Sequence, residues 1–254
     1  MAEILAVVNQ KGGVSKTTTS VNLGGYLAEQ KHPTVIVDLD PQSNATAGVG
    51  VKVGADTPTV YDVLLNRVTA TQALAPTGQE NLNILPSTPD LAGAAIELMD
   101  QPYREYRLRR GMKPLHEHFD FILIDCPPSL GLLTVNALAA ANKVLIPVQC
   151  EFYALEGLHQ LLNTIDLVRK HLNPHLQVLG AVLTMYDRRT ALNRQIVREV
   201  RRTFPGHVFD SVIPRNTELA EAPAKGETII EYDRHSRGAK AYEYLSEELL
   251  SLYV

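Results

Sequence analysis

Near the start of the chain, residues 9–19 read Asn9-Gln10-Lys11-Gly12-Gly13-Val14-Ser15-Lys16-Thr17-Thr18-Thr19. An apolar run at 4–8 leads into this stretch, which predicts a buried strand, then a glycine-rich turn, then a helix. In such a turn the backbone N–H groups converge, and the positive helix end and a lysine attract an anion. The stretch therefore predicts a phosphate-binding loop for a nucleoside triphosphate, in which the Thr17 hydroxyl completes the coordination of magnesium.

Two positions in this loop differ from the common phosphate-loop pattern GxxxxGK[ST]. An additional lysine, Lys11, stands at the front, and Ser15 replaces the glycine that precedes Lys16. If the backbone at Ser15 has a positive φ, a residue with a side chain costs about 1–2 kcal/mol there. The hydroxymethyl group also crowds the phosphates. Ser15 therefore predicts weaker nucleotide binding or slower turnover than glycine would give.

The length and composition limit the class of protein. The 254 residues can bury a sizeable core and suit one α/β domain over residues 1–254, although length alone allows two. No apolar run is long enough to cross a membrane, and the N-terminus has no signal-peptide pattern. Cys126 and Cys150 lie in apolar segments and are expected to be reduced core thiols of a cytoplasmic protein. The formal net charge of −4 excludes a uniformly basic nucleic-acid binder, so DNA contact requires a local basic patch.

Apolar runs alternate with amphipathic segments along the chain. Strands are predicted at 4–8, 34–38, 82–85, 121–125, 143–148 and 178–184. Helices are predicted at 17–29, 91–99, 132–141, 155–171, 191–203 and 239–252, with a short helix at 61–65. Most of the strands are continuously apolar, as in a parallel sheet that is covered on both faces. The order predicts an α/β fold with a doubly wound, mostly parallel sheet, helices on both faces, and a ligand at the carboxyl ends of the strands.

Carboxylates follow two of these strands. The second predicted strand ends in Asp38-Leu39-Asp40-Pro41-Gln42, and carboxylates at this end of a strand can reach a γ-phosphate. The proline and the polar residues then break the strand and begin a loop. The strand at 121–125 ends in Asp125, whose carboxylate is placed to hold magnesium through water.

With these motifs in order, the chain resembles the deviant Walker A group of P-loop NTPases, and within it the ParA/Soj chromosome-partitioning ATPases. The resemblance runs from residue 4 to about 244. It rests on the front lysine Lys11, the 38–42 segment, the segments 125–132 and 147–157, and Val212-Ile213-Pro214-Arg215-Asn216. It implies binding of ATP and Mg²⁺ and an ATP-dependent homodimer, in which Lys11 reaches the partner's phosphates as an arginine finger does.

The resemblance also implies roles for individual residues. Three residues are expected to be catalytic: Lys11, Lys16 and Asp40, of which Asp40 positions the attacking water. ATP contacts are expected from Lys11, Gly12, Gly13, Val14, Ser15, Lys16, Thr17, Thr18, Pro214 and Asn216, with the last two touching the base. Magnesium is expected at Thr17, Asp125 and Asp38, although Asp38 could instead support the loop.

Basic residues cluster in two segments. The first contains Arg188, Arg189, Arg194, Arg198, Arg201 and Arg202, and the second contains Arg104, Arg107, Arg109, Arg110 and Lys113. Such a stripe is usually a solvated helix face. Because the family binds DNA without sequence preference, we expect phosphate contacts from Arg189, Arg194, Arg198 and Arg201. Glu218 and Glu227 stand at positions that are often basic in this branch, and they weaken or move the predicted DNA site.

The resemblance implies a cytoplasmic, nucleoid-associated protein that partitions chromosomes or plasmids. Its ATP-bound dimer would bind non-specific double-stranded DNA, and a ParB/Spo0J-type centromere-binding protein would trigger hydrolysis and release. Three alternatives remain open. A MinD-like division regulator would need a basic amphipathic C-terminal helix, whereas residues 242–252 are acidic, so no membrane contact is expected. An iron–sulfur reductase would need cysteines at ligand spacing. A hydrolysis-impaired nucleotide-binding module would result if Ser15 blocks turnover.

Overall fold

The computed structural model describes residues 2–151 and 154–253, and these residues form one sheet with helices around it. Its eight strands are β1 (Glu3–Val7), β2 (Thr34–Asp38), β3 (Ala75–Pro76), β4 (Leu82–Leu85), β5 (Phe121–Asp125), β6 (Lys143–Gln149), β7 (Gln177–Tyr186) and β8 (Val208–Pro214). The spatial order is β3-β4-β2-β5-β1-β6-β7-β8. The pair β3–β4 is antiparallel and the other pairs are parallel.

The α-helices connect and cover these strands. They are α1 (Lys16–Glu29), α2 (Asn44–Gly48), α3 (Val60–Leu64), α4 (Leu91–Glu97), α5 (Arg107–Gly111), α6 (Leu132–Ala140), α7 (Ala154–His171), α8 (Ala191–Thr203), α9 (Glu218–Lys225), α10 (Ile229–Asp233) and α11 (Arg237–Ser251). Short 3₁₀ turns span Arg104–Tyr106 and Lys113–Glu117.

Strand β5 shows how the two faces of the sheet are used. Side chains alternate along a strand, so Ile122 and Ile124 join a hydrophobic cluster on one face, and Phe121 and Leu123 join a cluster on the other. The first cluster is completed by α6, α7 and α8, and the second by α1 and α11. The predicted α/β fold with a mostly parallel sheet and helices on both faces is therefore confirmed.

The carboxyl ends of the central strands lie side by side. Asp125 at the end of β5 is in register with Val7 of β1 and with Asp38 of β2. The phosphate loop follows β1, so parallel pairing brings it next to both aspartates. This register is the reason that residues far apart in the sequence can form one site.

The sequence did not predict the edge strand β8 or the helices α2 and α9. Strand β8 carries Asp210 and Ser211 in its middle, so it lacks a continuous apolar run. The backbone N–H groups of both residues donate hydrogen bonds of 2.7 and 3.0 Å to the carboxylate of Glu248 in α11. Helix α2 is too short to show a helical period, and α9 contains Pro223.

The C-terminal helix α11 packs on the sheet, as its amphipathic sequence predicts. Tyr242, Leu245 and Leu249 are fully buried, and Tyr242 shares a 3.1 Å hydrogen bond with Thr19 of α1. Among the described residues, none of the helices combines the length and apolar character that a membrane span requires.

Gly180 in β7 offers a test of the packing between β7 and β8. A Cβ added there would lie 2.8 Å from the carbonyl oxygen of His207 and 2.9 Å from a ring carbon of Phe209. Gly180→Ala should therefore lower the free energy of unfolding by about 1–3 kcal/mol, as measured by urea denaturation. Gly93→Ala is the control, because its added Cβ meets Glu97 at an ordinary 3.9 Å. Equal stability of the two variants would contradict the described packing.

Candidate active site

The phosphate loop links β1 to α1 through two residues with a left-handed backbone. Gly13 has a φ of 74° and Ser15 a φ of 67°. Glycine adopts this conformation freely, whereas a serine is strained in it by roughly 1–2 kcal/mol. The loop therefore does place Ser15 at a positive φ, and the strained backbone at this residue is part of the described structure.

Lys16, the first residue of α1, is held over the loop. Its side chain is largely buried, and its ammonium donates a 3.2 Å hydrogen bond to the carbonyl oxygen of Lys11. Burial lowers the pKa of Lys16, while the nearby carboxylates of Asp125 and Asp40 oppose that shift. A positive charge thus stands between the loop and the strand ends, where an anion can bind.

Asp125 is held by two hydroxyl groups of α1. It is completely buried and accepts hydrogen bonds from the Thr17 hydroxyl at 2.7 Å and the Ser20 hydroxyl at 2.9 Å. Burial raises the pKa of Asp125 to about 7, with a further contribution from the Asp38 carboxylate, and the two hydroxyl contacts oppose the shift. Hydroxyl and carboxylate oxygens are the ligands that magnesium prefers, and a second cation beside these acids would relieve their repulsion. Thr17 and Asp125 therefore fit a magnesium site.

The Asp38 carboxylate is engaged by the loop that follows it. One oxygen accepts hydrogen bonds from the Thr46 amide at 2.8 Å and its hydroxyl at 2.7 Å, and the other from the Asp40 amide at 3.2 Å. Burial raises the pKa of Asp38 to about 6, and the bonds from Thr46 oppose that shift. This geometry matches the loop-supporting role suggested for Asp38, while its role as a magnesium ligand stays a prediction.

Asp40 begins the loop between β2 and α2. Its Oδ1 accepts a 2.9 Å hydrogen bond from the Gln42 amide, and its backbone carbonyl accepts one of 2.9 Å from Ser87, which follows β4. The carboxylate is buried to 7% exposure and lines the same pocket as the phosphate loop. The parallel strands thereby bring Asp40 into one pocket with the phosphate loop.

The predicted residues meet around a pocket of about 310 Å³. It is lined by Gly12, Gly13, Ser15, Lys16, Thr17, Thr18, Asp40, Gln42, Asn44, Pro128 and Met185. Val14 is buried beside it, and its carbonyl accepts a 3.2 Å hydrogen bond from Thr184. The lining thus brings together residues from four strand ends, which is the expected position of a ligand in this fold.

Some lining and supporting residues were not predicted. Ser20 stands one helical turn after Lys16, so its contact with Asp125 could have been inferred from i, i+4 spacing. Asn44 and Pro128 could have been inferred from their places just beyond Asp40 and Asp125. Met185 has a φ of 53° at the end of β7, and the sequence carries no signal for it.

Among the described residues that line this pocket, Pro214 and Asn216 do not occur. Pro214 is in register with Tyr186, which follows Met185. The Asn216 side chain accepts a 3.2 Å hydrogen bond from the amide of Leu219, so it caps the start of α9. Their contact with a base stays a prediction.

The Lys11 side chain is paired with a residue outside the phosphate loop. Its ammonium forms a 3.0 Å ion pair with Glu151, and the other oxygen of Glu151 accepts a 2.6 Å hydrogen bond from Gln149. The additional lysine therefore has an acidic partner within its own chain. In the 147–157 segment that carries part of the resemblance, residues 152 and 153 lie outside the described residues.

The arginines of α8 form an exposed surface, as their spacing predicts. Ile196 and Val200 are buried, and Arg194, Arg198, Arg201 and Arg202 are exposed around them. Arg189 is paired with Asp187 at 2.9 Å, and Arg201 with Asp210 at 2.7 Å.

The two cysteines are buried free thiols, and burial raises the pKa of Cys150 to about 12.

Comparisons with known proteins agree with this geometry. The family model described as an AAA domain matches residues 2–178. The chain is 51% identical over 250 residues to the chromosome partitioning protein ParA of Myxococcus xanthus, covering 98% of this chain and 88% of that protein. It is 51% identical over 249 residues to the sporulation initiation inhibitor protein Soj of Bacillus subtilis, covering 98% of each.

A solved structure has the same fold along the whole chain. Cobyrinic acid a,c-diamide synthase from Mycobacterium smegmatis, with bound ADP and magnesium, has a TM-score of 0.87 and 40% identity to this chain. The match covers 100% of this chain and 96% of that one. The phosphate loop with its additional lysine and the carboxylates that follow β2 and β5 agree with these relatives. The chain therefore belongs to the ParA/Soj family of chromosome-partitioning ATPases.

Proposed function

We propose that this protein hydrolyses ATP with Mg²⁺ and uses the ATP-bound state to partition a chromosome or plasmid. The observation that carries the proposal is the pocket lined by Lys16, Thr17 and Asp40, in which the Thr17 hydroxyl is also bonded to Asp125. The Mycobacterium smegmatis structure, which holds ADP and magnesium, supports the same ligands here. The two relatives described above, a chromosome partitioning protein and a sporulation initiation inhibitor, support the cellular role.

Each residue has a separate task in this proposal. The amides of Gly12 to Thr18 would bind the phosphates, and the Lys16 ammonium would balance the charge on the β- and γ-phosphates. Thr17 and Asp125 would hold magnesium, which supplies further charge neutralisation when bound. The Asp40 carboxylate would accept a hydrogen bond from the attacking water and so align it with the γ-phosphate. Pro214 and Asn216 would contact the base.

The ATP-bound protein is proposed to be a homodimer. For Lys11 to reach the phosphates of a partner protomer, its ammonium must leave Glu151, to which it is bound at 3.0 Å. Both members of this ion pair are partly exposed, at 37% and 47% of their side-chain surface, so the pair is weak and exchange is feasible. Phosphate oxygens carry more charge than one carboxylate and are the stronger partner for Lys11.

The dimer is proposed to bind non-specific double-stranded DNA through α8 and to associate with the nucleoid. Arg189, Arg194, Arg198 and Arg201 from two protomers would contact backbone phosphates, which requires no base recognition. A ParB/Spo0J-type centromere-binding protein would then stimulate hydrolysis and release the dimer from DNA.

A second candidate is a nucleotide-dependent binding module with impaired hydrolysis. The strained φ of 67° at Ser15 and the position of this residue in the pocket lining favour it. The two candidates share ATP binding and differ only in turnover.

The primary experiment uses two substitutions in the pocket. Lys16→Ala should abolish ATP binding because it removes the buried cation, and isothermal titration calorimetry measures this. Asp40→Ala should bind ATP normally and lower kcat by at least about 100-fold, since water positioning contributes only to the transition state. Asp56→Ala, in an exposed loop, is the control and should match the parent. If folded Lys16→Ala binds ATP with unchanged affinity, the proposed ATP site is wrong. If Asp40→Ala hydrolyses ATP at the parent rate, another residue positions the attacking water.

A third prediction concerns the strained serine. Ser15→Gly should raise the free energy of unfolding by about 1 kcal/mol, because glycine relieves the left-handed backbone. It should also bind ATP more tightly or hydrolyse it faster, because the hydroxymethyl group lines the pocket. The matched control is Lys31→Gly, at a residue with a φ of 68° in the turn after α1. It should gain stability without any change in ATP affinity or hydrolysis rate. If Ser15→Gly and the parent have the same affinity and rate, the impaired-module candidate loses its support.

A fourth prediction concerns α8. Arg198→Glu should weaken DNA binding equally for all sequences and reduce the slope of log K against log salt by about 2 per dimer, since each protomer loses one phosphate contact. Fluorescence anisotropy with ATP present measures the slope. Arg109→Glu, in the second basic cluster, should leave it unchanged. If Arg109→Glu reduces the slope and Arg198→Glu does not, DNA binding is assigned to α5.

A further inference from the structure

The ends of α2 and α9 meet through two glycines. Gly50 follows α2 with a φ of 73°, and Gly226 ends α9 with a φ of 71°. A Cβ on Gly226 would lie 2.5 Å from the Cα of Gly50, and a Cβ on Gly50 would lie 2.7 Å from the carbonyl oxygen of Gly226. Both the backbone conformations and the close approach therefore require glycine at both positions.

The Gly226 side of this contact is fixed to α1. The Ile229 amide donates a 2.7 Å hydrogen bond to Asn22 of α1. The Thr228 hydroxyl contacts Gln79 at 3.2 Å, and Gln79 donates a 2.6 Å bond to the carbonyl of Gly25, also in α1. Helix α1 carries Lys16 and Thr17, so Gly226 is held in a constant position relative to the phosphate loop.

The Gly50 side is fixed to the Asp40 loop. The Gly50 amide donates to the carbonyl of Ala47 at 3.0 Å, which ties it to α2. Thr46 in the same helix donates to the buried Asp38, and the Ser43 amide donates to the carbonyl of Asp40 at 2.9 Å. A continuous set of hydrogen bonds therefore connects Gly50 through α2 to the Asp40 loop.

We propose that Gly50 and Gly226 are positioning residues for ATP hydrolysis. Their backbone contact sets the distance between the Asp40 loop and the phosphate loop, and so the alignment of the attacking water. The inference rests on the proposed ATPase function. The contact between the two glycines lies outside the pocket, and in this proposal it controls turnover without touching the nucleotide.

The expected signature is a separation of kcat from KM. In the proposed function the phosphate loop and the start of α1 bind the phosphates, and Asp125 holds the start of α1 in place, whereas Asp40 is reached from the contact through α2. Gly226→Ala and Gly50→Ala should each lower kcat by about tenfold and leave the KM for ATP within about twofold of the parent. Gly48→Ala is the matched control, because its Cβ would meet Val21 at an ordinary 3.6 Å, and it should retain parent kinetics.

The double variant distinguishes a shared contact from local strain. Once one alanine has separated the two backbones, the second has no contact left to remove, so the double variant should retain the kcat of either single variant within about twofold. If the fold-loss of kcat in the double variant is the product of the two single losses, each glycine only relieves strain at its own position, and the proposal is overturned. A rise in KM equal to the fall in kcat would also overturn it.

Hydrogen exchange on the unmodified chain gives a test that does not depend on folding of the variants. With ATP and magnesium, the amides of 11–18 should gain protection, and those of 44–50 and 218–226 should gain it together. Protection of 44–50 without 218–226, or of neither segment, would overturn the coupling. Unchanged exchange at 11–18 would instead refute ATP binding, so failure of the proposed function is recognised separately.

Discussion

The buried Asp125 carboxylate is the constraint around which the site is built. It ends β5, the strand between β1 and β2, and it accepts hydrogen bonds from two hydroxyls on the first turns of α1. These bonds fix the start of α1 relative to the sheet. Because α1 begins at Lys16, they also fix the position of its ammonium over the phosphate loop. The register of three parallel strands thereby determines where charge is placed.

Buried carboxylates outnumber buried cations among the described residues of the site. Asp38, Asp40 and Asp125 lie at neighbouring positions with little exposure, and Lys16 is the cation buried with them. The upward pKa shifts of Asp38 and Asp125 reflect their burial, and their mutual repulsion adds to the shift of Asp125. An added divalent cation favours the ionised form of both, so metal binding and deprotonation are coupled. Lys11 is held apart from this group by Glu151 and remains available for a different partner.

The sequence was sufficient to predict the central strands and the phosphate loop, because strands buried on both faces are continuously apolar and the loop has a distinctive spacing. It also indicated the strain at Ser15. It could not show that Asp38 bonds to Thr46, because either metal or loop contacts satisfy a buried carboxylate. Strand β8 was missed because Asp210 and Ser211 interrupt its apolar run. The meeting of Gly50 with Gly226 depends on the path of two helices, and neither local sequence carries a signal for it.

Glu248 has a consequence for the behaviour of many copies at high density. Strand β8 forms an outer edge of the sheet, and an open edge can pair with the same strand of another molecule and seed aggregation. The Glu248 carboxylate occupies the amides of Asp210 and Ser211 at this edge, and no incoming strand can use them without displacing it. The side chain thus blocks two of the amides that edge-to-edge pairing would use. Molecules that are crowded together are thereby hindered from joining into a continuous sheet at this edge.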